Sequence, residues 1–245
     1  MRLTRVHVEA ALVPGTEIDL PGPAAAHLSR VLRLQEGDGF VLFNGDGRDY
    51  PARVASLGKR LLRAQVGEPV AAAQESPLRI VLLQAIARGE KMDLILQKAT
   101  ELGVAEVRPV SSQRSEVKLD AERAAKRVAH WRNVVIAACE QSGRARIPEV
   151  LDPVTLAGGV QGLSEGGVRL ILDPNGSLSF AGLELPGDRL VTLAVGPEGG
   201  WSPLDRQQLL AAGFLGVRMG PRILRTETAA LAAIAALQSR FGDFQ

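Results

Sequence analysis

The segment Val195-Gly196-Pro197-Glu198-Gly199-Gly200-Trp201-Ser202-Pro203 joins an apolar run to a helix start through three glycines and one carboxylate. Glycines let backbone N–H groups approach a ligand with no Cβ in the way. Ser202 is of the type that caps a helix, and Pro203 suits the first helical position. In open α/β sheets ligands bind beyond the carboxyl ends of the strands, where this loop falls. A tight strand-to-helix turn has the same composition, so a ligand loop and a structural turn both fit. A second segment, Met219-Gly220-Pro221-Arg222-Ile223-Leu224-Arg225-Thr226-Glu227-Thr228-Ala229, leads into an alanine-rich helix. Thr226 is expected to cap its exposed amides. Arg225 beside a helix N-terminus opposes the macrodipole, and a local rule broken without evident gain marks a functional position. Pairing of Arg225 with Glu227 or another carboxylate is the structural alternative.

Several chemistries lack their residues. There is no G-x-G-x-x-G spacing and no Gly-Lys-Ser/Thr, which disfavours dinucleotide and nucleoside-triphosphate sites. His7, His27 and His130 are scattered without metal-ligand spacing. Asn44-Gly45-Asp46-Gly47-Arg48-Asp49 has calcium-loop residue types but neither flanking helices nor a distal Glu, and reads as a turn. Cys139 is the single cysteine, so no intrachain disulfide forms; in an apolar helical stretch it reads as a buried hydrophobe.

The elements that must position these segments change character along the chain. The first 70 residues read as short strands, Phe40-Val41-Leu42-Phe43 pairing with Tyr50 to Val54 as a hairpin. One helix over residues 23–33 interrupts them, with Ala25, Leu28, Val31 and Leu32 on one face and Arg30 and Arg33 three apart beside it. A small β-barrel carrying one helix is expected. Ala71-Ala72-Ala73-Gln74-Glu75-Ser76-Pro77 reads as the boundary, giving domains at 1–72 and 73–245. Beyond it, strands at 78–87, 104–110, 168–172, 190–195 and 214–219 alternate with helices at 88–102, 119–141 and 228–240. Met92, Ile95, Ala99 and Leu102, then Val128, Trp131, Val135 and Ala138, form the inward stripes of the first two helices. This alternation predicts an α/β domain with a mainly parallel sheet.

The 245 residues are 46% hydrophobic and 23% charged, ordinary for a globular protein. The apolar run at 229–237 is far too short to span a membrane, and Met1 to Val6 lacks a signal-peptide core, so a cytoplasmic protein is expected. The formal net charge is only +2 although the pI is about 9.0. From Arg114 to Arg146, however, eight Lys/Arg face four Asp/Glu. Such a local excess suits a polyanionic partner, or is a solvated helix face.

Gly196-Pro197-Glu198-Gly199-Gly200, followed by Leu224-Arg225-Thr226-Glu227-Thr228-Ala229, resembles the signature of the SPOUT methyltransferases. More specifically it resembles the RsmE family, the 16S ribosomal RNA uridine N3-methyltransferases. Supporting matches run along the chain: His27-Leu28 through Val31-Leu32-Arg33, Lys91, Gln97-Lys98-Ala99-Thr100-Glu101-Leu102-Gly103, Arg114-Ser115, Trp131, and Glu140-Gln141-Ser142 with Arg144 and Pro148. Glu116 stands where the pattern has an apolar residue.

The resemblance implies a PUA-like N-terminal β-barrel and a C-terminal α/β domain tied in a deep trefoil knot. It implies S-adenosylmethionine held by Leu172, Asp173, Gly196, Pro197, Gly199, Gly200, Met219, Gly220, Ile223 and Leu224, with Ile223 and Leu224 walling a dry slot for the purine. It implies methyl transfer to N3 of a uracil taken out of any stack. Arg225 would stabilise the developing anion, and Glu198 and Glu227 would position the base or relay its proton, unless Glu227 only orients Arg225. Arg2, Arg5, Arg30, Arg33, Lys91, Lys98, Arg114 and Arg144 are the implied RNA contacts, a simple Lys98–Glu101 surface pair being the alternative at that site. The partners would be 16S ribosomal RNA or the small ribosomal subunit and a second copy of the chain. A nicotinamide-dependent oxidoreductase and a non-catalytic RNA-binding protein are the competing classes.

Overall fold

The computed structural model describes residues 3–58, 61–116, 120–187 and 189–244. The chain forms two compact units, Met1–Glu75 with Cys139–Ile147, and Ser76–Ala138 with Pro148–Gln245.

In the first unit, β1 (Arg5–His7), β2 (Glu17–Leu20), α1 (Gly22–Ala26), β3 (Gly39–Phe43), β4 (Arg48–Leu57), β5 (Leu62–Val66) and β6 (Val70–Ala71) follow in order. Five strands lie in the order β1-β3-β4-β5-β2, and β6 pairs with β4. Side chains alternate across a strand. Tyr50, Ala52 and Val54 of β4 and Leu62, Ala64 and Val66 of β5 therefore all face one core, with Phe40, Leu42 and Leu28. The expected hairpin is β3–β4, with Leu42 opposite Tyr50. Its turn uses Gly45 and Gly47, both at φ +91°. The Tyr50 hydroxyl donates to Asp46 Oδ2 at 2.6 Å.

The helix expected over 23–33 is shorter and irregular. α1 runs into a π-helical turn at His27–Val31, and Arg33 takes the left-handed φ of +57° that ends it. Leu28 is fully buried beneath. Arg30 and Arg33 are both exposed, but the expectation that they share a helical face is corrected, because the helix stops between them.

Arg5 also departs from expectation. Its guanidinium is ion-paired with Asp49, donates to the Arg144 carbonyl at 3.0 Å and lies 4.7 Å over the Phe43 ring. Arg144 is itself paired with Glu75 at 2.5 Å. With 8% and 9% of their surfaces exposed, these two arginines are internal struts and not phosphate contacts. Arg2 lies outside the described residues.

The second unit contains β7 (Arg79–Ala85), α2 (Glu90–Glu101), β8 (Glu106–Ser111), α3 (Ala121–Ser142) as far as Ala138, β9 (Glu149–Val150), β10 (Val154–Thr155), α4 (Leu156–Gln161), β11 (Val168–Leu172), β12 (Leu190–Val195), α5 (Pro203–Ala211), β13 (Leu215–Val217) and α6 (Thr226–Phe241). Helix α3 was expected from Leu119, which lies outside the described residues. The sheet order is β10-β8-β7-β12-β11-β13 with β9 on β8, and every pairing is parallel. Ile80 to Ala85 are all buried, as a central strand covered on both faces requires. Met92, Ile95 and Ala99 of α2 and Val128, Trp131, Val135 and Ala138 of α3 are buried on the expected stripes, whereas Leu102, expected to continue the first, is the C-cap of α2 and only half-buried. After β12, the chain crosses through α5 to place β13 on the far side of β11. It then returns, so that α6 packs against α2 and β12.

Candidate active site

Three loops leave the carboxyl ends of β11, β12 and β13 and enclose a pocket of about 330 Å³. Leu172 and Asp173 line it from the first loop, Gly196, Glu198 and Gly200 from the second, and Met219, Gly220, Ile223 and Leu224 from the third. The two C-terminal motifs therefore meet, although more than twenty residues of chain separate them. Gly196 sits close under the loop it begins: a Cβ there would lie 3.3 Å from the Trp201 nitrogen and press on the Gly200 backbone. Pro197 and Gly199 do not line the pocket: the Gly199 carbonyl turns away and accepts from Arg114 Nη1 at 3.0 Å. Ile223, expected to wall a dry slot, stands at the rim with 85% of its surface exposed.

The glycine loop is held by groups the sequence did not single out for this purpose. The Thr226 hydroxyl donates to the Gly196 carbonyl at 2.6 Å. It accepts in turn from Gln84 Nε2 at 3.1 Å, and Gln84 is wholly buried. Thr226 is thus no cap. The N-cap is Arg225, without a side-chain capping bond. Ser202 does cap α5, in a reciprocal box with Asp205. Gln113 N–H reaches the same Asp205 carboxylate at 3.3 Å. The available signal for Gln84 was its place as the one polar residue between Ile80 and Ala87.

Glu198 accepts from the Arg88 N–H at 3.2 Å and from Lys91 Nζ at 3.1 Å. Partial burial works to raise its pKa. The hydrogen bonds from its own backbone and that of Arg88, with the Lys91 bond and charge, outweigh this and hold the carboxyl below its ordinary range. Glu198 is therefore a carboxylate at neutral pH. Lys91 and Arg114, expected on RNA, are here engaged with the glycine loop. Lys98 pairs with Glu101 at 2.8 Å, the surface alternative expected for it.

Arg225 is exposed at the mouth of α6, and no described residue gives its side chain a hydrogen bond or ion pair. The structural alternative, pairing of Arg225 with Glu227 or another carboxylate, is not formed among the described residues. Glu227 is half-buried, and its Oε2 is buried without a partner among the described residues. Cys139 is buried, and burial pushes its thiol up to about 12, which removes it from nucleophilic chemistry at neutral pH.

The pocket suits S-adenosylmethionine in size and lining. Its walls are mostly apolar, as a purine slot requires. Gly196 and Gly200 bring main chain to the surface, and Asp173, Asn175, Arg206 and Thr226 supply polar edges.

Residues 74–238 match the model of an RNA methyltransferase domain, and residues 20–67 that of an RNA methyltransferase PUA domain. Fold and pocket therefore define an RNA methyltransferase with a PUA domain. The ribosomal RNA small subunit methyltransferase E of Buchnera aphidicola (subsp. Schizaphis graminum) is 33% identical over 99% of this chain and 98% of its own. That of Bacillus subtilis is 29% identical, over 97% and 94%. A crystal structure of the Neisseria gonorrhoeae enzyme of that name, bound to S-adenosyl methionine, is 41% identical and superposes over both whole chains with a TM-score of 0.94. The chain belongs to the ribosomal RNA small subunit methyltransferase E family.

Proposed function

We propose that the protein methylates N3 of a uridine in 16S ribosomal RNA of the small subunit, using S-adenosylmethionine. The observation that carries this reading is the convergence of both C-terminal motifs on one pocket, with an uncommitted arginine at its edge. Bound there, S-adenosylmethionine supplies an electrophilic methyl group. Leu172, Asp173, Gly196, Gly200, Met219, Gly220 and Leu224 hold it, with Ile223 at the rim and Pro197 and Gly199 shaping the turn behind. The target uracil loses its N3 proton, and Arg225 stabilises the negative charge that spreads to the neighbouring carbonyl oxygen. Glu198, tied to Lys91 and held as a carboxylate, positions the loop; a base kept that acidic is poorly matched to proton abstraction near neutrality. Glu227, with one oxygen unclaimed, is the carboxylate that relays the proton.

Residues 1–72 act as an RNA-binding barrel and residues 73–245 as the transferase domain. The hop of β13 over β11 and the return of α6 support a trefoil knot at the pocket. Arg30 and Arg33 contact phosphates, and the working form is a cytoplasmic homodimer. No described helix is long and apolar enough to cross a membrane. Transfer of labelled methyl to ribosomal RNA, with the modified nucleotide mapped in cells lacking the protein, tests the proposal. Absence of a missing N3-methyluridine in 16S RNA from those cells overturns it.

A further inference from the structure

Asp173 and Arg206 form a built pair at one edge of the pocket. Asp173 has only 8% of its surface exposed, and its position is over-determined. Its N–H donates to the Val217 carbonyl at 3.0 Å, and its carbonyl accepts from Gly176 N–H at 2.9 Å. Its Oδ1 accepts from the Asn175 N–H at 2.9 Å, leaving Oδ2 to accept from Arg206 Nε at 2.6 Å. Gly176 itself is pressed on β13, where a Cβ would come within 2.6 Å of the Gly216 backbone. A rigid carboxylate thus grips Arg206 by Nε alone.

Arg206 sits in the first turn of α5, where a cation opposes the helix dipole, so helix stability does not explain it. Its side chain is 46% exposed and lines the pocket. No described residue takes a hydrogen bond from Nη1 or Nη2. A guanidinium pinned at Nε presents those two nitrogens as a fork for a carboxylate. Arg222, the other pocket-lining arginine, is exposed on the third loop and has no such anchor among the described residues.

We infer that Arg206, oriented by Asp173, recognises the methionine carboxylate of the cofactor and makes the pocket selective for nucleosides that carry this tail. The inference rests on the proposed cofactor pocket. Arg206 is a specificity residue and Asp173 the positioning residue that aims it. The methionine tail is a zwitterion, whose ammonium the adjoining Asp173 carboxylate attracts while Arg206 takes its carboxylate; a phosphate chain offers Asp173 only negative charge, so the pair favours a short amino-acid tail over a nucleotide.

Direct calorimetric binding of two unreactive nucleosides tests this. S-adenosylhomocysteine keeps the carboxylate; 5′-methylthioadenosine lacks the whole amino-acid end. Arg206→Leu should weaken S-adenosylhomocysteine about tenfold or more while leaving methylthioadenosine within about twofold, the value of one charge-assisted fork. Arg206→Lys should restore part of the difference and Asp173→Asn should lose part of it, which a merely structural link would not produce. Equal weakening of both nucleosides, or of neither, overturns the inference while leaving the cofactor pocket standing. If the unaltered protein binds neither nucleoside, the pocket reading itself fails. The melting temperature of each unliganded variant, expected within a few degrees of the parent, separates ligand recognition from misfolding.

Discussion

Arg225 has no side-chain partner among the described residues, and that is its significance: a guanidinium unclaimed by any described carboxylate is available to an anion that forms only during reaction. Arg225→Ala is expected to lower the methylation rate roughly 10²-fold, the order found when one donor to a developing anion is removed. Calorimetry should show cofactor affinity nearly unchanged, and near-normal turnover would remove Arg225 from the chemistry. Glu198 makes a separate prediction through its depressed pKa. A lowered folded-state value means that its contribution to loop order is complete above the ordinary glutamate range and lost as pH falls through the folded pKa. Between pH 6 and 8 the rate profile of Glu198→Gln should therefore keep the parent's shape, with any loss of rate uniform across it. A vanished titration step in that window would make Glu198 the base after all. Arg225 was legible in the sequence because it breaks the helix-dipole rule in plain view. Arg206 breaks the same rule in α5 and was overlooked, since only the fold brings Asp173 to it, 33 residues away. Arg5 and Arg144 misled for the converse reason: a sequence does not display that an arginine is buried against Asp49 or Glu75.

Among the elements, the glycine loop depends on a relay running from β7 through the first residue of α6 to the end of β12. A single hydroxyl serves both bonds. Thr226→Val keeps the shape but takes away the hydroxyl that serves the Gly196 carbonyl and one of the two bonds of the Gln84 amide, whose other bond goes to the Ala85 carbonyl at 2.9 Å, and should cost about 1–3 kcal/mol. That loss, read by denaturant unfolding, should come with weaker cofactor binding, and Thr226→Ser should recover most of both. A Val variant as stable as the parent would show that the relay is not a fixed part of the loop. The parallel-sheet strands were readable because buried strands are continuous apolar runs and their helices carry a clear stripe. The two-residue strands β9 and β10 and the six-residue α4 have too few residues to show a period. The helix around His27–Val31 was legible as a helix but not as a π turn: of the four apolar positions that ordinary helical spacing puts on one face, Ala25 and Leu28 are buried, while Val31 and Leu32 are 66% and 38% exposed. Gln84 shows the limit differently: one polar residue inside an apolar strand was visible, but its partner lies 142 residues away.

For the whole molecule, the transferase domain supplies chemistry and the barrel is proposed to supply RNA affinity, so the two should respond to different variables. Sedimentation at micromolar concentration should report a dimer, and a monomer retaining full activity would dismiss the proposed second copy. The electrostatic part is sharper once Arg5 and Arg144 are set aside as internal, and Lys91 and Arg114 as loop-holding. Arg30 and Arg33 then remain as the barrel cations proposed for RNA. Both are exposed, and no described residue pairs with either guanidinium. Each phosphate contact adds a fixed increment to the salt dependence of binding, because neutralising a phosphate releases its condensed counterion. Replacing both arginines by alanine should weaken RNA binding and flatten the plot of log affinity against log salt by roughly 1.5, the increment for two contacts. Cofactor affinity, measured on the same double variant, should not move. A salt slope identical to that of the parent would mean that the RNA backbone follows some other path over the protein, whatever the fate of the methyl group.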